Sequence, residues 1–203
     1  MSTTLLDMRT WSGRDILSWF AIVAGPACLF CFSMLLWSYG MSENIASFSL
    51  WGVIDGLFCY NMWMSGSKRD AIFPGLYTVI VIITVAIIYK NGTWQWGAIE
   101  TVCSILVIGA LIATKISTRL AIVASGIAIT MASIPILIDS FQHPEPWTWW
   151  FWISGTISGW VLYFLTPDRS LSNVSSWLFN LLAAVMGTII TLINTWPALS
   201  ALH

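Results

Sequence analysis

Three side chains in this sequence could do chemistry inside otherwise apolar stretches: Asp55, Glu100 and Asn180. Polar groups within a hydrocarbon environment are costly, so each carries a functional expectation by default. Asp55 lies in the run Phe48 to Tyr60 and is the first choice for a functional carboxylate, either binding a solute or taking up a proton. The competing expectation is structural, with Asp55 capping a backbone group or pairing with a nearby Ser, Thr or Asn to lock helices together. Glu100 stands nearer a helix end, where reaching the headgroups competes with a direct role. Asn180 can both donate and accept hydrogen bonds and suits solute recognition. Trp160 adds a ring on which a flat solute can stack.

Other chemistries fail on inventory. Only two histidines are present, and His143 with Asp139 and Glu145 reads as a solvated turn between Pro144 and Pro146 rather than a metal centre. Cys28 and Cys31 have the spacing of a redox or metal pair but lack flanking ligands, so core packing is the expectation. Lys90 and Lys115 fall at helix ends, which removes the mid-helix lysine that a retinal protein needs. No phosphate loop or nucleophile motif occurs. The expectation is therefore a non-enzymatic protein without cofactor or metal. The sequons at Asn91 and Asn173 matter only in a eukaryotic secretory route.

The elements that must hold these residues follow from composition. With 58% hydrophobic and 8% charged residues, the 203-residue chain reads as an all-α integral membrane protein and one membrane domain, 1–203. A net charge of −1 without a basic block argues against nucleic acid as a partner. A spanning helix needs about twenty apolar residues. Seven such windows are expected at 17–38, 47–65, 71–89, 94–114, 120–141, 147–166 and 174–195, joined by short polar breaks. The first window lacks a small-residue cleavage site and is expected to be a retained helix, not a removed signal peptide.

Two of these windows repeat one another. Phe48, Gly52, Gly56 and Tyr60 recur as Phe151, Gly155, Gly159 and Tyr163, all at four-residue intervals. Residues four apart share a helix face, so each copy presents a glycine seam that lets backbones approach closely. The expectation is that the seam of Gly52 and Gly56 meets that of Gly155 and Gly159. The repeat predicts two parallel three-helix units, 17–89 and 120–195, joined by a linker helix at 94–114. With the N-terminus cytoplasmic and the C-terminus outside, seven of the eight Lys and Arg residues face inward and only Lys90 faces out. Short loops suggest a bacterial inner (plasma) membrane. Most of the fourteen tryptophans lie near helix ends, as in an interfacial belt, whereas Trp51, Trp63, Trp152 and Trp160 are harder to place there.

Several residues of the second half resemble those of the SWEET sugar transporters, their half-size bacterial relatives and the wider PQ-loop (MtN3-like) superfamily, which includes nicotinamide riboside transporters. They are Ser133-Ile134-Pro135, Trp160-Val161-Leu162-Tyr163, and Pro167 followed by Asn180. Ile136 stands where that group has glutamine, and Tyr77 or a neighbour stands where it has a second asparagine. The resemblance implies a 3+1+3 arrangement, alternating access, a bending point at Pro135 and an Asn180 side chain facing the solute cavity. The function expected is facilitative transport of a polar or ring-containing metabolite such as a sugar, nucleoside or vitamin precursor. Its site would be Asp55, Trp160 and Asn180, with Tyr60 and Tyr163 at the ends of the seams. The alternative is a non-catalytic membrane subunit or sensor whose glycine seams hold partner helices. A homo-oligomer is compatible with either.

Overall fold

The computed structural model describes residues 12–39, 44–90, 92–142 and 148–200. Glu43, Asn91 and the turn containing His143, Pro144, Glu145 and Pro146 lie outside the described residues, as does the Asp139 side chain. Among the described residues the fold is all-helical: α1 (Gly13–Tyr39), α2 (Ile45–Met64), α3 (Ile72–Ile88), α4 (Ala98–Ile116), α5 (Thr118–Gln142), α6 (Trp149–Leu165) and α7 (Val174–Ser200), with a 3-10 turn at Leu171–Asn173. Four stretches are long and apolar enough to cross a membrane, in α1, α4, α5 and α7, while α3 and α6 are shorter apolar helices.

The helix boundaries have local causes. Asn44 caps α2 by accepting a hydrogen bond from the Ala46 N–H at 3.0 Å, which satisfies one of the donors that a helix start leaves orphaned. Gly66, at φ +90°, carries the chain out of α2 through the left-handed region where a side chain would be strained. Pro74 sits in the first turn of α3, where its missing N–H deprives the helix of no hydrogen bond. The start of α4 falls at Ala98 rather than the expected residue 94, because Gly97 is extended and Glu100 folds back on its N–H at 2.9 Å. Trp94 and Trp96 consequently stand before the helix, stacked on each other at 6.3 Å. Ser117 alone, also extended, separates α4 from α5.

Helix packing gives each third helix a central place. In the first half α3 packs on both α1 and α2; in the second α7 packs on both α5 and α6. The halves meet through α1 against α6 and α2 against α5. The fourth helix lies to one side, against α5 and α2. Glu100 fixes it there, accepting hydrogen bonds from Asn44 Nδ2 at 3.3 Å and Ser47 Oγ at 3.0 Å.

The core along these contacts is ring-rich, with Phe58, Phe73, Ile54 and Met62 fully buried. Buried hydroxyls are mostly satisfied within their own helices, as Ser133 donating to the Ile129 carbonyl and Thr166 to that of Leu162. Others cross between helices: Ser33 of α1 and Thr84 of α3 share a hydrogen bond of 2.5 Å, and Ser140 of α5 accepts from Asn194 Nδ2 of α7 at 3.1 Å. The exterior is apolar as well, with Val79 and Ile82 on α3 and Ile105, Ile108 and Ile112 on α4 exposed. Such a surface is compatible with a bilayer and would be an association hazard in water.

Candidate functional site

The glycine seams do not meet. A Cβ built on Gly52 would come to 3.1 Å from Val81 Cγ1 and one on Gly56 to 3.6 Å from Thr78, so the α2 seam faces α3 of its own half. Gly159 faces α7, where an added Cβ would come within 2.6 Å of the Ala184 backbone nitrogen and 2.9 Å of the Asn180 carbonyl oxygen. Gly155 turns instead toward α3, with the Tyr77 hydroxyl 3.2 Å from its would-be Cβ. The expected contact between seams is thus replaced by α2 on α3 and α6 on α7. Four-residue spacing defines a face but leaves its partner open.

What lies between the halves is a cavity of about 100 Å³. Six helices contribute to its wall: Leu29 from α1, Trp51 and Asp55 from α2, Tyr77 from α3, Ile129 and Ser133 from α5, Phe151, Trp152 and Thr156 from α6, and Phe179, Met186 and Gly187 among those from α7. No α4 residue lines it. Asp55 is 4% exposed, and its Oδ1 has no hydrogen-bond partner. A buried carboxyl oxygen unpaired among the described residues is costly, which makes Asp55 the candidate binding group of the cavity. The Tyr77 hydroxyl reaches between α1 and α6, where Gly25 and Gly155 leave room for it; a Cβ on Gly25 would come to 2.7 Å from that oxygen.

Aromatic clusters that include the cavity residues Phe179 and Phe151 stand toward its two ends. Toward the end of the bundle where α1 begins, Phe179 packs edge-on against Phe58 at 4.9 Å and Phe73 at 5.6 Å, with Tyr77 beside Phe73 at 5.1 Å. At the other end Phe151 stacks on Phe32 at 4.8 Å, nearly parallel, joining α6 to α1. Trp51 is tied to α5 by an indole N–H donated to the Ala132 carbonyl at 3.2 Å, one turn before Pro135.

The candidate residues divide among several places. Of the candidate solute-binding residues Asp55 alone lines the cavity, joined there by Gly155 of the seam. Asn180 is buried, donates to the Ser176 carbonyl at 3.2 Å, and lines a different space, a polar cleft of about 550 Å³ at the α1-start end. Phe179 and Asn180 therefore look into the cavity and the cleft respectively. Trp160 is half-buried outside the cavity, its indole N–H donating to Thr188 Oγ1 at 3.1 Å and its ring stacked on Phe164 at 5.5 Å. Tyr60 is exposed, and Tyr163 lies under the Arg169 guanidinium, 4.8 Å from its ring centre. Pro135 stands inside α5 and borders a minor void with Glu100 and Cys103. Glu100 is a clamp between α4 and α2. Cys28 and Cys31 are free thiols, the first half-buried and the second exposed.

The cleft is knitted by charge. Arg69 pairs with Asp15 at 3.0 Å and lies over the Trp19 ring at 5.6 Å, while Arg14 donates to the Leu165 carbonyl. Burial raises the Asp70 carboxyl above its ordinary range, against the lowering effects of a hydrogen bond to Ser176 and the nearby Arg69. At the exposed turn after α6 the Ser170 N–H holds Asp168 below that range.

Among the described residues no three potential metal ligands come together. Sequence reasoning missed Thr156, Phe179 and Gly187 as cavity residues, since nothing marks them apart from other apolar-helix residues. For Trp51 and Trp152 a signal existed: neither fitted the interfacial belt. Tyr77 had one too, since it stands as far beyond Phe48 as Asn180 stands beyond Phe151. A comparison with protein-family models, curated proteins and solved structures finds no match for this chain.

Proposed function

We propose that this protein is a small facilitative transporter that carries a polar or ring-containing metabolite across a membrane by alternating access, without catalysis. The observation that carries the reading is the cavity between the halves, lined by six helices and holding the unpaired carboxyl oxygen of Asp55. Polar groups at depth in such bundles mark solute pathways, and a site between repeats is the usual plan of membrane carriers. The central positions of α3 and α7, and the matched contacts of α1 with α6 and α2 with α5, support two three-helix repeats with α4 as linker. They agree in this with the SWEET and PQ-loop resemblance. Interior prolines in the first helix of each half, Pro26 and Pro135, supply points at which those helices can bend.

In this reading the rings around Phe179 and those around Phe151 are the two barriers, and rocking of one half on the other parts one set while the other stays closed. Asp55 is the solute-orienting group, and Asn180 meets the solute in the cleft, on the cytoplasmic side if the basic residues orient the chain as expected. A bacterial inner membrane suits the short connections.

The test is uptake into liposomes containing the purified protein, screened with radiolabelled sugars, nucleosides, amines and vitamin precursors. Saturable uptake that falls at least tenfold in Asp55→Asn, with the variant folded, is the expected result. Absence of flux for every solute, together with copurification of a partner membrane protein, would favour the subunit alternative.

A further inference from the structure

The cavity's polar inventory is narrow. Besides Asp55 and the Tyr77 hydroxyl, its side-chain polar groups include the hydroxyls of Ser133 and Thr156, and both already donate to carbonyls of their own helices, Ile129 and Trp152, at 2.8 Å. Among the described residues no Lys, Arg or His lines it, so none of them brings a counter-ion to the Asp55 carboxyl. Little hydrogen-bonding capacity is left for a solute with many hydroxyls. Ring faces, in contrast, are abundant: Trp51, Tyr77, Phe151, Trp152 and Phe179 all contribute to the wall. A carboxyl whose Oδ1 is buried without a partner among the described residues, in a cavity partly lined by aromatic residues, suits organic cations, because ring faces attract positive charge and do so most strongly away from water.

We infer that the cavity selects a compact organic cation, an amine or quaternary ammonium whose charge lies against Asp55 and whose methyl and methylene groups lie on the rings. This rests on the transport reading of the same site and names its solute class. The bound cation supplies the counter-charge that the described cavity residues lack, so affinity and the neutralisation of Asp55 arise from one contact. A volume of about 100 Å³ favours a small solute over a nucleoside-sized one.

Choline and its carbon isostere, in which a quaternary carbon replaces the nitrogen, differ in charge and hardly in shape. Titrating each into the purified full-length protein in nanodiscs, by calorimetry and by thermal shift, isolates the charge. Choline is expected to bind saturably and to raise Tm, with the isostere at least roughly tenfold weaker. In Asp55→Asn choline binding falls to the level of the isostere, whose own binding is unchanged. Trp152→Leu, which keeps the acid, weakens choline more than the isostere. Equal binding of the two compounds by the wild type, retention of choline binding in Asp55→Asn, or absence of saturable choline binding would each overturn the inference. Flux separates it from the reading beneath: charge-selective binding with no uptake of any solute retires transport and leaves the cation site standing. Uptake of neutral metabolites without choline binding retires the cation site and leaves transport.

Discussion

Gly159 meets backbone rather than side chain, and that decides its substitution. Neither the Ala184 nitrogen at 2.6 Å nor the Asn180 carbonyl at 2.9 Å can step aside for a methyl group. Gly159→Ala is expected to cost about 1–3 kcal/mol by overpacking, read as a lowered Tm in detergent. Gly56→Ala, facing Thr78 at 3.6 Å, should leave Tm within a degree or two of wild type, since the contact is ordinary. The glycines were legible from their spacing; the difference between them was not, because it depends on which neighbour each face meets. Trp160 and Trp152 teach the same lesson. Both are tryptophans away from a predicted belt, yet only Trp152 turns toward the cavity, and adjacency to Gly159 places Trp160 by α7. Trp160→Phe should therefore lose the Thr188 hydrogen bond, about 0.5–1.5 kcal/mol of stability, and leave solute affinity unchanged in a binding titration. Asp55 was legible because a carboxylate deep in an apolar run has few innocent explanations, and its unpaired oxygen removes one of them, a full set of intramolecular partners.

At the level of helices, seven elements were legible almost to their ends, since apolar runs broken by Lys, Arg, Asp and Pro leave little choice. The larger departures are at three ends: α1 starts at Gly13 rather than 17, α7 runs to Ser200 rather than 195, and α4 starts at Ala98, where capping by Gly97 and Glu100 overrode the apolar run that begins earlier. Connections carry their own chemistry. The α2–α3 turn brings Asp70 into the cleft, where burial raises its folded pKa above the ordinary 3.8. Above that ordinary value, and up to the raised one, the folded protein binds more protons than the unfolded chain, so this group's contribution to stability falls as pH rises. Tm of the wild type should thus decline from pH 4 upward relative to Asp70→Asn, in which that slope is absent; parallel profiles would remove the assignment. Between helices, the Ser33–Thr84 contact ties α1 to α3. Ser33→Ala should cost about 1 kcal/mol, a modest loss because Thr84 retains the Ile80 carbonyl.

For the molecule as a whole, the repeated seam leads to the expectation of two related three-helix units, and the contacts of α3 with α1 and α2 and of α7 with α5 and α6 are what the proposal rests on. The pattern could not reveal which faces turn toward each other, because pairwise packing across halves leaves no fixed interval in the sequence. Alternating access makes a demand at this scale. Phe32 and Phe151, 4.8 Å apart, belong to different halves. Cysteines placed at these two positions, with Cys28, Cys31, Cys59 and Cys103 replaced, are expected to cross-link with a short bifunctional reagent and to abolish uptake reversibly. Uptake that survives complete cross-linking would mean that transport does not require α1 and α6 to separate at these positions.

The pairing of α1 with α6 also has a consequence during biosynthesis. A nascent chain inserts its first helix long before the sixth emerges from the ribosome, so the groove of α1 around Gly25, which receives Tyr77 from one side and Ser158 from the other, stays half-occupied until synthesis is nearly complete. Products that stop after α4 would lack α5, α6 and α7, which complete that groove and the wall around Asp55.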